Sequence, residues 1–201
     1  MIKEAIILVG KSVRLEPLEI HHVPDLMKVA LKNQDEFGHT FVPLSNEESD
    51  RYFVQALNLR HNHLAYPFVM LVDGRVIGTT RYTDIDWQNK TLGIGYTWFD
   101  KKYYGTAVNV ESKYLLFKYA FEELGFMRIK IRVDSLNKRS RRAVKALGTT
   151  LEGIMRKHKI TSNGRIRHTA LYSILDDEWP DVKPMLQERI RKKAGANSKR
   201  K

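Results

Sequence analysis

The chain contains no cysteine among its 201 residues. That excludes disulfides, thiolate metal sites and any route through a cysteinyl acyl-enzyme. Long hydrophobic runs are missing too: that near the start, AIILV at residues 5–9, is far too short to span a bilayer and carries no small-residue cleavage signature. A cytoplasmic protein with no membrane partner is expected. Neither G-x-x-x-x-G-K-[ST] nor a post-strand G-x-G-x-x-G occurs, which argues against nucleotide hydrolysis. Acidic residues are the scarcer charge, 23 against 35 basic, for a net +12. Residues 189–201 hold seven of the basic residues and no acidic one, which leaves +5 on the rest. That modest surplus suits a phosphorylated cofactor; the tail permits a weak ribosome or RNA contact but also fits a solvated terminus.

What remains is an ordinary globular composition, 42% hydrophobic and 29% charged, in a length that fits one domain. Residues 13–18 alternate apolar and polar as a strand ended by Pro17. Pro24 suits the first turn of a helix to about Leu31, and Ser45 with Glu48 forms a capping box for a second helix to about Leu59. Strands are expected over 66–72 and 76–84, joined by Asp73-Gly74, then over 91–99 after a turn at 86–90. Apolar residues at Val110, Tyr114, Phe117, Phe121 and Leu124 share one helical face, stopped by Gly125. A strand at 129–133, a helix at 140–147 and a hairpin of 151–160 with 166–175 about Ser162-Asn163-Gly164 complete a mixed α/β layered domain.

The densest chemical signal is Trp98-Phe99-Asp100-Lys101-Lys102-Tyr103-Tyr104-Gly105-Thr106-Ala107-Val108, which leaves a strand, turns at a glycine and enters a helix. The first N–H groups of a helix lack internal partners and sit at the positive end of its dipole, so a diphosphate fits there. A glycine that merely serves a connection would look the same. Asn137 and Ser140 open a later helix and are residue types favoured as helix caps. Glu111, early in the helix after the glycine, suits stabilisation of the helix N-terminus. His61 and His63 flank Asn62 without a third ligand, so no metal is expected. His158 and His168 lie in the final hairpin, where partial burial on a strand explains them.

Lys102-Tyr103-Tyr104-Gly105-Thr106-Ala107 resembles the acetyl-CoA motif [QR]-x-x-G-x-[GA] of GNAT acetyltransferases, with Lys102 in place of Gln or Arg. Ile94-Gly95-Tyr96-Thr97-Trp98 and Glu111 around it, the block from Asn137 and Ser140 to Leu147-Gly148, and Tyr172 to Leu175 with Glu178-Trp179 are similar to the RimJ/RimL-like branch of that family. The resemblance spans roughly residues 11–182. It implies a mixed, mainly antiparallel central sheet with helices on both faces, a domain at 11–182 after an extension at 1–10, and a basic tail at 183–201. It implies acetyl-CoA as cosubstrate, held by Trp98, Phe99, Lys102–Val108, Asn137 and Ser140, with no metal. It further implies direct attack of an amine on the thioester, with Ser140 protonating the departing thiolate. Many relatives carry a carboxylate before the I-G-Y segment; Gly93 stands there here, which leaves Glu111 or water as the base. It implies an acceptor that is a protein N-terminus or a small amine, bound by the first two helices and the Asp84–Lys90 loop, where Asp84 and Asp86 either attract a cationic amine or are simply solvated, and an enzyme that is a monomer or homodimer. The alternative is a noncatalytic module on the same fold that binds CoA or a ribosome or RNA surface.

Overall fold

The structure is a computed structural model that describes residues 5–198. Eight strands form one sheet: β1 (Leu8–Val9), β2 (Arg14–Pro17), β3 (Tyr66–Val72), β4 (Arg75–Asp86), β5 (Thr91–Phe99), β6 (Arg128–Asp134), β7 (Thr150–Ile160) and β8 (Ile166–Leu175). Their order is β1-β2-β3-β4-β5-β6-β8-β7. Every neighbouring pair is antiparallel except β5 with β6. The parallel pair follows from its connection. A helix crossover is what returns a chain to run beside a strand in the same direction, and α3 (Ala107–Lys118), extended by a π-helical turn at Tyr119–Glu123, supplies it.

The tight hairpins form where the sequence tolerates positive φ. Asp73 and Gly74 take φ of 50° and 72°, the mirror-image turn whose twist matches its strands. The helix α2 (Asn46–His61) is capped as its sequence dictates, with Ser45 accepting from the Glu48 N–H at 3.2 Å. The Glu48 carboxylate reaches back one residue further, to the Leu44 N–H at 2.9 Å.

Side chains alternate across the strands, so the sheet has a core on each face. On one face Phe68, Met70, Ile77, Leu92, Ile94 and Phe99 pack with α3, α4 (Lys138–Lys145) and α5 (Trp179–Ser198). On the other, Val69 and Trp98 pack with α1 (Val23–Lys32) and α2.

Two boundaries differ from the sequence expectation. Residues 1–10 are not wholly an extension: Leu8–Val9 forms β1, and Ile6 and Leu8 are buried in the main core. The division at 183 falls inside α5, which carries Trp179, Val182 and Leu186 into that core, with Ile190 packed against it. Of its basic residues, Arg191 and Lys192 are exposed, whereas Lys183, Arg189 and Lys193 are half-buried against the body. Part of the predicted tail, residues 199–201, lies outside the described residues. None of the described helices is long and apolar enough to cross a membrane.

Candidate active site

β5 and β6 pair only from Thr91–Arg128 to Ile94–Ile131. Beyond Ile94, β5 is paired to β4 alone, and the register there shifts between Thr79–Trp98 and Arg81–Gly95. The bulge places Tyr96 at φ 50°, a conformation that costs a bulky side chain strain. β6 meanwhile continues along β8 to Asp134. Two parallel strands therefore part, and a gap opens at their C-terminal ends. The N-termini of α3 and α4 follow those ends directly.

The loop between β5 and α3 is tied down at several points. Asp100 is buried; its carboxylate accepts from the Lys102 N–H at 3.0 Å and meets Lys32 Nζ at 2.9 Å. These interactions outweigh its burial and hold its pKa below the ordinary carboxylate value. Buried Asn33, at the end of α1, accepts from the Lys101 N–H at 3.1 Å. Thr106 caps α3 by accepting from the Val108 N–H at 3.3 Å, and its hydroxyl donates to the Tyr103 carbonyl at 2.7 Å. Gly105 takes φ 78°, and a Cβ built there meets nothing within 4 Å, so the backbone faces open space. A helix N-terminus with open space before it is a place where an anion can approach the backbone closely.

The second block stands beside the first. Asn137 caps α4 by accepting from the Ser140 N–H at 2.9 Å, which is the capping role the sequence also allowed. The Arg139 guanidinium lies 4.5 Å from the Tyr104 ring centroid and pairs with Glu36 at 2.7 Å. Burial raises the Tyr104 pKa, so its phenol stays neutral. Arg139 thus ties the α4 N-terminus to the glycine loop. Sequence reasoning did not single it out, because its two partners lie at distant positions.

α5 completes the surroundings of the loop. A cleft of about 290 Å³ is lined by Tyr104, Gly105 and Thr106 on one side and Arg189, Lys192, Lys193 and Ala196 on the other. Lys193 Nζ donates to the Gly105 carbonyl, and Arg189 to the Ala146 carbonyl. Burial and the neighbouring Arg189 lower the Lys193 pKa. Basic residues expected in a solvated tail border the glycine loop instead.

Other assigned residues lie elsewhere. Trp98 belongs to the α1/α2 core, where its indole N–H donates to Tyr52 Oη at 3.1 Å, so it forms no cofactor wall. Phe99, on the opposite sheet face, is core and meets Tyr104 edge-on at 5.2 Å. Ala107 and Val108 are buried, Tyr103 is half-buried, and exposed Lys102 places its Nζ 4.7 Å from the Tyr103 ring. Asp84 is exposed and bonded to Arg132; Asp86 accepts from the Asn89 N–H at 2.9 Å and its amide at 2.8 Å, closing the β4–β5 turn. Both carboxylates are thus engaged in local structure. His158 is half-buried and pairs with Thr169 Oγ1 at 3.0 Å, while His168 is exposed.

Glu111 is occupied as well. Its buried carboxylate accepts from the Lys11 N–H at 2.9 Å and the Ser12 N–H at 2.5 Å, clamping the β1–β2 turn to α3. With both oxygens so held, it is poorly placed to take a proton from an amine at the gap. Glu111→Gln, which keeps one acceptor, is expected to cost about 1–3 kcal/mol of stability, the scale for an unpaired buried polar group. Turnover per folded molecule should not change. Urea unfolding beside an activity assay checks this; a 100-fold fall in turnover at full stability, the scale of general-base loss, would restore Glu111 as the base.

Beneath the bulge, α3 presents Lys113. It is buried, and its Nζ donates to Thr97 Oγ1 at 2.8 Å and Thr80 Oγ1 at 3.0 Å. Burial lowers its pKa to about 7.

The parallel pair thus splits beside two helix N-termini and the glycine loop. A family model described as "Acetyltransferase (GNAT) domain" matches residues 12–150. The chain belongs to the GNAT acetyltransferase family. It is 30% identical over 184 residues to YjcK of Bacillus subtilis (strain 168), an N-acetyltransferase by name, covering 85% of this chain and 99% of that protein. YdaF of the same strain, named as a ribosomal N-acetyltransferase, is 26% identical over 180 residues, 87% of this chain and 97% of the relative. Among solved structures, a GCN5-related N-acetyltransferase from Brucella melitensis superposes with a TM-score of 0.81 at 28% identity, covering 92% of this chain and 85% of that one.

Proposed function

We propose that this enzyme moves an acetyl group directly from acetyl-CoA to a primary amine. The observation that carries the reading is the gap where β5 leaves β6 beyond Ile94–Ile131, beside the Gly105 loop. In this reading the diphosphate sits on the N–H groups that open α3, with Lys192, Lys193 and Arg189 at its flank. The thioester lies in the gap, and backbone N–H groups of the bulged strand stabilise the oxyanion. The amine attacks the carbonyl carbon, the C–S bond breaks, and the thiolate takes a proton. Ser140, on the first turn of α4 with its N–H held by Asn137, is the proposed donor of that proton.

No base is assigned, because Glu111 is engaged at the β1–β2 turn. An α-amine with pKa near 8 is about a tenth neutral at pH 7, whereas a lysine amine near 10.4 is neutral about once in a few thousand. An enzyme that leaves deprotonation to water is therefore better suited to α-amines. The name of YdaF, a ribosomal N-acetyltransferase, supports an acceptor on a ribosomal component.

Thiol release tests the reading. The chain has no cysteine, so every thiol detected belongs to CoA. N-terminal peptides are expected to release thiol with acetyl-CoA; acetyl-CoA binding without release on any amine would favour a noncatalytic module. Ser140→Ala is expected to lower kcat by about 10²-fold, the scale of general acid loss, with little change in KM for acetyl-CoA. An unchanged kcat with a lower melting temperature would leave Ser140 as part of the helix start alone.

A further inference from the structure

On the sheet face that carries α1 and α2, the arginines toward β6 and β8 are matched by carboxylates. Arg132 is matched by Asp84, and Arg165 by Asp134, whose side chain is fully buried. Arg167 donates to Thr169 Oγ1 at 3.0 Å and stands 4.0 Å from the same Asp134. Arg81 of β4 differs from all of them. It is 1% exposed, forms no ion pair among the described residues, and its Nε is buried without a hydrogen-bond acceptor.

Its neighbours are aromatic. The guanidinium lies 4.2 Å from the Tyr96 ring centroid and 5.1 Å from that of Tyr52. Burial raises the Tyr52 pKa, so that phenol supplies no negative charge. Stacking of this kind returns about 0.5–2 kcal/mol, whereas burying an ion costs several kcal/mol. Arginine cannot escape the cost by losing its proton. The charge is thus stacked and oriented but not neutralised.

Position indicates what neutralises it. Tyr96 is the bulged residue where β5 parts from β6, and it is 42% exposed. The Tyr96 ring therefore separates Arg81 from the gap, and a group entering there reaches the guanidinium only by turning that exposed ring aside. The glycine loop and α5 bring the cofactor phosphates to one side, so an acceptor reaches the thioester from the side of α1, α2 and Tyr96. We infer that Arg81 binds a carboxylate on the acceptor, so that the acceptor class is an amine with a carboxylate close to it. The inference rests on the reading that acetyl transfer to an amine occurs in the gap. Two sources carry this chemistry: the α-carboxylate of a free amino acid, and an acidic side chain beside a peptide N-terminus.

Matched acceptors separate them. Alanine is compared with alaninamide, and the peptide amide Ala-Asp-Ala with Ala-Asn-Ala, on wild type and Arg81→Met; differences in amine basicity cancel in the ratio between the two proteins. The preference in kcat/KM for the carboxylated member of one pair should fall by about 30-fold or more in Arg81→Met, the scale for removing one partner of a buried charge pair. Arg81→Lys should keep part of it. A response in the first pair identifies a free amino acid, and in the second an acidic N-terminus. An equal loss on both members of each pair, or no loss, overturns the proposal. Calorimetry on wild type with CoA and the N-acetylated product of each acceptor keeps the test open if Arg81→Met fails to fold: carboxylated products should bind more tightly, and equal affinities reject the inference. Failure of the underlying reading looks different, as an absence of thiol release from wild type with every acceptor.

Discussion

Lys192→Glu combined with Lys193→Glu is expected to raise the Kd for acetyl-CoA by about tenfold or more while leaving the melting temperature nearly unchanged. Each exposed ion pair returns about 0.2–1 kcal/mol, and reversing two charges beside phosphates turns two attractions into two repulsions. Both residues line the cleft facing Gly105, and neither belongs to the core that Val182 and Leu186 join. The effect should shrink in high salt, because screening acts on exposed charges. Calorimetry at two salt concentrations checks it. Acetyl-dephospho-CoA locates the contact: if the double variant affects it as much as acetyl-CoA, the lysines face the diphosphate, and if only acetyl-CoA responds, they face the 3′-phosphate. An unchanged Kd for both would return this end of α5 to the solvated role its composition suggested.

The second large effect concerns Lys113 and is seen in stability. Burial lowers its pKa to about 7 from an ordinary 10.5. Between those values the unfolded chain holds a proton that the native state has released, so unfolding free energy must rise with pH in this window. The destabilising contribution is fully present below pH 7 and fades as pH climbs toward the unfolded value. One proton corresponds to about 1.4 kcal/mol per pH unit. From pH 7 to 9 wild type should gain about 2–3 kcal/mol on Lys113→Met, whose side chain does not titrate. Urea unfolding of both proteins at the two pH values measures the difference. Parallel pH curves would show that the ammonium stays charged in the core, with the Thr80 and Thr97 hydroxyls solvating it.

Much of the architecture was legible because its signals are local. Asp73-Gly74 fixes a hairpin through two positive φ values, and Ser45 with Glu48 starts α2 through bonds spanning three and four residues. The glycine loop was legible for the same reason: strand, turn and helix start are contiguous. Helix α5 was missed although Trp179, Val182, Leu186 and Ile190 recur at helical spacing, because Pro184 and the basic residues among them drew the reading toward a tail. The misplacement of Trp98 was avoidable. Adjacent residues on a strand point to opposite faces, so Trp98 and Phe99 cannot line one wall. Glu111 and Arg81 were beyond reach from sequence alone. One is explained by backbone amides about 100 positions away, and the other by the lack of an ion-pair partner among the described residues.

Helix α3 joins the two most distant parts of the described chain. Glu111 on its first turns holds the Lys11 and Ser12 amides, while Tyr114 receives the Gln187 amide at 3.0 Å and stacks against Trp179 at 5.9 Å. During synthesis, then, the early β1–β2 hairpin waits for residue 111 to emerge, and the main core waits for Leu186. Although domains made by the ribosome tend to fold from the N-terminus onward, this one is held back from completion by a helix made late. A nascent chain stalled before α5 should therefore be a protease-sensitive intermediate, already carrying most of its sheet but still unable to close the pocket around the glycine loop.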